Sequence, residues 1–263
     1  MPGTLRSRLE EVSRRARLTG ALEPIATRST FLEDGDVRFV VRIVERVARK
    51  KASHKAQEET GRNPFLPYED ELFVADVSPT HVALLNKFNV MENHLLVVTR
   101  AFEEQQSLLT PEDFEALRLV LGEFDSLFFY NAGAVAGASQ RHKHLQFVPV
   151  PIGCGPGRCP MEVLLAGEGG ALPFPCRFER APPTRERYLE ALADSGLARG
   201  RGAYNLLATR EWMLLVPRRA ASYQSISVNG LGFAGAFLAK DDEELARLGR
   251  VGPMTVLREV ALG

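Results

Sequence analysis

Asn131-Ala-Gly-Ala-Val-Ala-Gly-Ala-Ser-Gln-Arg-His142-Lys-His144-Leu-Gln146 is the stretch on which the reading of this chain turns. Its second part opens an alternating run, from about Lys143 to Val150, that predicts a β-strand. Side chains alternate across a strand, so His142, His144 and Gln146 point one way, and Lys143, Leu145 and Phe147 the other. Its first part, Gly133 to Ser139, is a turn of small residues. There Gly133, Gly137 and Ser139 let backbone amides converge on an anion without a crowding side chain. A polar triad beside an anion cradle suits phosphoryl chemistry. Two histidines at i and i+2 also suit a metal, but no third ligand stands at matching spacing. The Gly/Pro-rich spacing of Cys154, Cys159 and Cys176 is not a zinc pattern either, so no metal site is expected.

Upstream, Leu72–Val77, His81–Phe88 and His94–Thr99 read as strands. Thr110, with Pro111 in the first turn and Asp113 at the third position, starts a helix. Its buried face is Phe114, Leu117, Leu121, Phe124 and Phe128, and a strand at Leu127–Tyr130 overlaps its end. Further back, Leu5, Leu9, Val12 and Ala16 recur at helical spacing. Arg38–Val44 suits a strand or a short helix, and the polar stretch His54–Glu69 a loop. Downstream, residues 151–184 hold seven of the sixteen prolines and six glycines and read as a linker or long loop. Tyr188–Leu197 suits a short helix, and Tyr204–Thr209 with Trp212–Val216 a hairpin across Arg210-Glu211. Asn229-Gly230 is a turn signal after Ser225–Val228, and helices from Asp241 and about Pro253 close the chain. Strands in adjacent runs with helices between them predict a mostly antiparallel α+β layer fold. The expected organisation is an N-terminal region 1–150, a Pro/Gly-rich linker or loop 151–187, and a C-terminal region 188–263.

The 263 residues carry 33 Lys+Arg against 33 Asp+Glu. That balance lacks the basic excess of a nucleic-acid or membrane-surface binder, so neither partner is expected. The N-terminus lacks the sections of a signal peptide. Apolar runs fall short of a membrane span, and three cysteines suit a reducing cytoplasm. The composition alone bounds a soluble cytoplasmic α/β protein.

The His-x-His-x-Gln run resembles the histidine-triad superfamily, in the branch where glutamine replaces the last histidine. Three further stretches, Leu84–Thr99, Tyr204–Arg218 and Asn229–Lys240, make the chain similar to the diadenosine tetraphosphate phosphorylases, or ATP adenylyltransferases. The resemblance implies a histidine-triad-like fold and phosphorolysis of diadenosine tetraphosphate to ATP and ADP through an adenylyl-histidine. By similarity His144 is the nucleophile, and His142 orients its tautomer through its backbone carbonyl or its ring. Gln146 contacts the adenylyl phosphate. Gly137, Ala138, Ser139 and Gln140 form the cradle, with Asn131 as a neighbouring polar contact. Asn86 and Lys87, together with Lys240, meet the substrate. Asn229, Gly230, Leu231 and Ala236 line the nucleotide site. An N-terminal substrate lysine matches Lys50, with Lys51 adjacent. No bound cofactor is expected, and Mg2+ would come with the polyphosphate. The partners are diadenosine polyphosphates, ATP, ADP and phosphate.

The chemistry agrees with that resemblance. Neutral imidazole is available near pH 7 and attacks phosphorus. Glutamine cannot protonate a leaving group, and a polyphosphate with a terminal pKa of about 6 leaves without an acid. A hexose-1-phosphate uridylyltransferase shares the motif, and a catalytically weak nucleotide-binding protein is the reading from another class. The Tyr204–Lys240 stretch favours the phosphorylase over the former. Trp212 and Phe233 suit core packing, and His54, His81 and His94 structural roles.

Overall fold

The computed structural model of the chain describes residues 4–45, 63–153, 155, 157–165, 172–197 and 202–263. In chain order the elements are α1 (Leu5–Thr19), β1 (Thr27–Asp34), β2 (Val37–Val44), β3 (Phe73–Asp76), β4 (His81–Leu85) and β5 (Leu95–Thr99). Then follow α2 (Pro111–Glu123), β6 (Ser126–Asn131), β7 (His144–Pro149), α3 (Glu162–Leu165), β8 (Arg177–Glu179), α4 (Arg185–Asp194), β9 (Ala203–Ala208) and β10 (Met213–Arg218). The chain closes with β11 (Ser222–Tyr223), β12 (Ile226–Ser227), β13 (Ala236–Ala239), α5 (Asp242–Val251) and α6 (Pro253–Val260). Eight strands make one antiparallel sheet in the order β3-β4-β5-β7-β6-β9-β10-β8. Strands β1, β2 and β13 make a smaller sheet.

Strand alternation sends two sets of side chains to opposite faces of the large sheet. Leu95, Val97, Phe128, Leu145, Phe147 and Leu206 pack against helices, among them Leu9 of α1, Leu117 of α2 and Leu192 of α4. On the other face Phe129, Val148, Leu207 and Val216 pack against the small sheet and the C-terminal helices, through Phe39, Val41, Leu248 and Leu257. Val82, Leu84, Leu96 and Val98, on β4 and β5, are covered separately by Phe65. Each large apolar side chain fully buried in these layers contributes roughly 1.5–3 kcal/mol before entropy is subtracted.

Helix α2 starts as its sequence requires. Thr110 accepts from the Asp113 amide and Asp113 accepts from the Thr110 amide, a capping box with Pro111 in the first turn. Three other readings resolve differently from their simplest form. Residues Arg38–Val44 belong to strand β2, because Val37, Phe39, Val41 and Ile43 alternate inward opposite β1. The 151–184 stretch is not a solvent linker. Its β8 edges the large sheet against β10, and Ile152, Cys159, Met161, Leu165 and Phe174 are buried, so its prolines and glycines serve turns between short packed pieces. Asn229-Gly230 is not a hairpin turn. The Asn229 side chain accepts from the Leu231 amide and caps a 3-10 turn at Gly230–Ala234. The hairpin joins β11 to β12 through Gln224 and Ser225, whose φ values are 46° and 64°.

Behind the triad strand, Lys143 is fully buried and its ammonium meets Glu103 at 2.5 Å and Asp113 at 3.1 Å. Asp113 also accepts from Nε2 of the buried His81 at 2.9 Å and from the Thr110 amide at 2.7 Å. Burial alone would raise the Asp113 carboxyl, but His81, Lys143 and Thr110 together hold it below its ordinary value. Asp113→Ala strands a buried ammonium and opens the capping box, and is expected to cost about 3–5 kcal/mol in urea unfolding. A loss below about 1 kcal/mol, the range of exposed pairs, would show that the network does not hold the sheet to α2.

Candidate active site

His144 opens β7 opposite Val98 of β5. Its Nδ1 lies 2.8 Å from the His142 carbonyl. A carbonyl only accepts, so Nδ1 carries the proton and the Nε2 lone pair is left free. The residue is 4% exposed. Burial pushes its pKa down to about 4; the bond to the His142 carbonyl opposes that shift, and the His142 ring adds to it. The His142 ring is anchored elsewhere. Its Nε2 meets Thr99 Oγ1 at 2.9 Å and the Ala101 carbonyl at 3.2 Å, while Nδ1 lies 2.9 Å from Asn63 Nδ2. Of the two routes open to His142, the carbonyl is the one that reaches His144. His142 itself precedes the strand and makes only an isolated bridge with Glu104, because residues 103–105 and not β6 run beside it.

His144 and Gln146 line a cavity of about 180 Å³. Phe65, Tyr68, Leu72, Leu84, Phe88 and Leu96 supply its apolar wall, and Asn86, Lys87, Glu69, Ser139 and Gln140 its polar one. The Phe65 ring centroid lies 5.3 Å from that of His144. Lys87 pairs with Glu69 at 2.8 Å and 3.0 Å. Gly137 has φ 91°, and a Cβ there would come within 2.8 Å of the Val228 carbonyl, so glycine is required where this turn meets Asn229. The Gly137 and Ala138 amides are used within the turn, bonding Ala134 and Gly133 carbonyls. Those of Ser139 and Gln140 donate to no partner among the described residues. They are the amides left for an anion.

His94 lies beside this site without lining the cavity, which its place at a strand start did not reveal. Asn86 Nδ2 donates to its Nδ1 at 3.2 Å. Its Nε2 is buried with no partner among the described residues. Burial lowers its pKa to about 4; His144 adds to that shift, and the Gln146 side chain opposes it. The pairing of Leu96 with Gln146 across β5 and β7 brings these groups together, and only the strand register could have signalled it.

Other expected residues sit behind the cavity. Asn131 is buried and accepts from Asn205 Nδ2 at 2.8 Å and from the Gly230 amide at 2.9 Å. It thereby ties the 229–231 segment to β6. Asn229 backs Gly137, Leu231 is buried in the adjoining core, and Ala236 pairs with Val40 in the small sheet. Lys240 is exposed at the end of β13 and outside the cavity lining. Lys50, Lys51, His54 and Cys154 lie outside the described residues. Trp212 and Phe233 are core residues, and Trp212 donates to Glu162 at 2.7 Å. Burial raises the Cys159 and Cys176 thiols to about 12 and about 11. Arg218, which ends the Tyr204–Arg218 stretch and was given no role of its own, is 3% exposed. It donates to Asn205 Oδ1 and to the carbonyls of Ala136, Ala220, Val228 and Val260.

A free imidazole nitrogen, unspent amides and a glutamine around one cavity define a nucleotidyltransferase site of the histidine-triad kind. The profile of the Ap4A phosphorylase N-terminal domain matches residues 1–167, and that of the ATP adenylyltransferase C-terminal domain matches residues 171–263. The chain belongs to the Ap4A phosphorylase family. It is 27% identical to diadenosine 5',5'''-P1,P4-tetraphosphate phosphorylase 2 of Saccharomyces cerevisiae, over 89% of this chain and 86% of that protein. The crystal structure of yeast Ap4A phosphorylase Apa2 in complex with AMP is similar at a TM-score of 0.78 and 26% identity, covering 97% of this chain and 95% of that one. The same enzyme in complex with Ap4A gives 0.77 and 25%, covering 98% and 97%.

The two depressed histidines fix a sign for the pH dependence of stability. Unfolded histidine protonates near the ordinary 6.5, whereas His94 and His144 in the fold hold off to about 4. Between those values the unfolded chain binds more protons, so stability falls as pH drops from 6.5 toward 4. A double His94→Asn, His144→Asn variant should lose much of that slope in thermal melts across this window. A variant with the native slope would place the titrating groups elsewhere.

Proposed function

We infer that the cavity holds one adenylyl unit of diadenosine tetraphosphate, and that His144 carries it between the polyphosphate and inorganic phosphate. The observation that carries this is the Nδ1–H bond from His144 to the His142 carbonyl, in a chain whose two halves match the phosphorylase profiles. Nε2 of His144 attacks the α-phosphorus, the N–P bond forms, and the bond to the bridging oxygen breaks, releasing ATP. The imidazolium created at that moment keeps its Nδ1 proton on the His142 carbonyl, a fixed dipole that steadies the new charge. An oxygen of inorganic phosphate then attacks the same phosphorus, the N–P bond breaks, and ADP leaves. Gln146 hydrogen-bonds the adenylyl phosphate and the Ser139 and Gln140 amides support its oxygens, while the apolar wall receives the adenosine. No step asks the protein for a proton donor to the leaving group. Mg2+ travels with the polyphosphate.

Replacing His144 with Ala removes the atom that forms the bond, and turnover should fall by several orders of magnitude. Near-native turnover would sink the assignment. At saturating phosphate the native protein should release ADP with ATP. Mostly AMP there would make it a hydrolase.

Among the described residues Lys87 is the cation that lines the cavity, and its ammonium is paired with Glu69. A polyphosphate must take that contact over. Each charge-assisted contact is worth about 1.5–3 kcal/mol, or roughly tenfold to a hundredfold in capture. Lys87→Met should therefore weaken binding of the tetraphosphate more than that of AMP in calorimetry, and equal losses for both would count against it.

A further inference from the structure

We propose that Gln105 is a positioning residue for the nucleophile, acting by standing in for the missing partner strand at His144. The β6–β7 ladder runs from Ser126↔Pro149 to Phe129↔Gln146 and stops there. Continued, it would pair Asn131 with His144. On its other edge β6 stays paired with β9 as far as Asn131↔Asn205, while on its β6 side the backbone of His144 has no strand partner, at the one residue that must be aimed.

The primary amide of Gln105 fills that gap. Its Oε1 accepts from the His144 amide at 2.8 Å, and its Nε2 donates to the Asn131 carbonyl at 3.0 Å and to the His144 carbonyl at 3.3 Å. A side-chain amide thus supplies the donor and acceptor that a strand peptide would present. Gln105 is 2% exposed, so none of these bonds is exchanged cheaply for water. Its own backbone is fixed as well. Its amide donates to the Arg141 carbonyl at 2.7 Å, and its carbonyl accepts from the Tyr130 hydroxyl. One residue therefore clamps the chain at Arg141 and again at His144, on both sides of the His142 carbonyl that holds Nδ1. Tilting this short segment turns the imidazole away from the phosphorus without touching the cavity wall, because Gln105 is not among the residues that line it.

The consequence is a separation of binding from chemistry. Misplacing a reacting group by about 1 Å costs up to roughly a hundredfold in rate, while nucleotide contacts elsewhere in the cavity are left in place. The inference rests on the reading of His144 as the adenylyl carrier, and the test keeps the two apart. Native protein, Gln105→Met and Gln105→Glu are mixed with adenine-labelled diadenosine tetraphosphate without phosphate, and the single-turnover rate of acid-labile labelling is followed. AMP affinity is measured alongside by calorimetry. Met keeps the bulk and loses all three bonds. Glu keeps the acceptor for the His144 amide and sets an oxygen against two carbonyls, and it carries the comparison alone should Gln105→Met fail to fold.

The expected result is labelling slowed about tenfold to a hundredfold, with AMP affinity within about threefold of native. Labelling at the native rate, or equal losses in labelling and AMP affinity, overturns the role of Gln105. Native protein that takes no label at all overturns the adenylyl-histidine reading, and the inference with it.

Discussion

An imidazole that attacks phosphorus, the role proposed for His144, has to be neutral and has to be aimed. In this fold one hydrogen bond, from His144 Nδ1 to the carbonyl of His142, meets both needs. It fixes the proton on Nδ1 and leaves the Nε2 lone pair free, and burial keeps the ring neutral at neutral pH. The bond joins a side chain to the backbone two residues earlier, so it is only as well placed as the 142–144 segment. Much of the surrounding structure can be read as support for that segment. Asn63, Thr99 and Ala101 hold the His142 ring on the far side. Lys143, between the two histidines, is buried in the opposite direction on Asp113 and Glu103, and so pins the strand to the start of α2.

Two buried cations stand near the site, and they differ in kind. The charge of Lys143 is cancelled by carboxylates. Arg218 is surrounded by carbonyls and the Asn205 side-chain oxygen, with no carboxylate partner among the described residues. Burial lowers its pKa only to about 10, so it stays charged at neutral pH. One of its acceptors is Ala136, inside the turn that ends at the unspent Ser139 and Gln140 amides. Carbonyl dipoles solvate a charge without neutralising it, so the turn has a net positive field behind it. A loop of Gly, Ala and Ser without a single cation can hold a phosphate on those terms.

What could be read from the sequence followed the range of the interactions. Strand alternation around His144, the Thr110 cap and the β9–β10 hairpin are local, and their residues state them. The sequence leaves the carbonyl and the ring of His142 as two routes to His144, since the choice depends on Thr99 and Asn63, far away in the chain. A histidine at a strand start such as His94 reads as structural, and its nearness to His144 shows only once the register sets Leu96 beside Gln146. Gln105 carries no signal in the sequence, and Arg218 none beyond its place at the end of the Tyr204–Arg218 stretch. Each acts through backbone groups of distant segments, and no spacing in the sequence encodes that. The proline-rich 151–184 stretch misled for a related reason: its short pieces are held by burial of Ile152, Met161 and Phe174 rather than by their own propensity.

The site is also why the chain's two halves work as one body. The N-terminal profile ends at 167 and the C-terminal one begins at 171, yet the sheet passes between them without a break, β6 pairing β9 from Phe128↔Ala208 to Asn131↔Asn205. That last pair is where the support for the cradle gathers. Asn205 Nδ2 reaches both Asn131 Oδ1 and the Ala136 carbonyl, Asn131 accepts from Gly230, and Gly137 rests on Asn229. His144 and the Ser139 and Gln140 amides come from the first half, and residues that fix the shape of the 133–140 turn from the second. Removing the second half would take away neither His144 nor Gln146, but it would strip Asn131 Oδ1 and the Ala136 carbonyl of the donors that hold them in place. The turn that presents the Ser139 and Gln140 amides would then have to collapse or hydrate, so its shape is set by the second half of the chain.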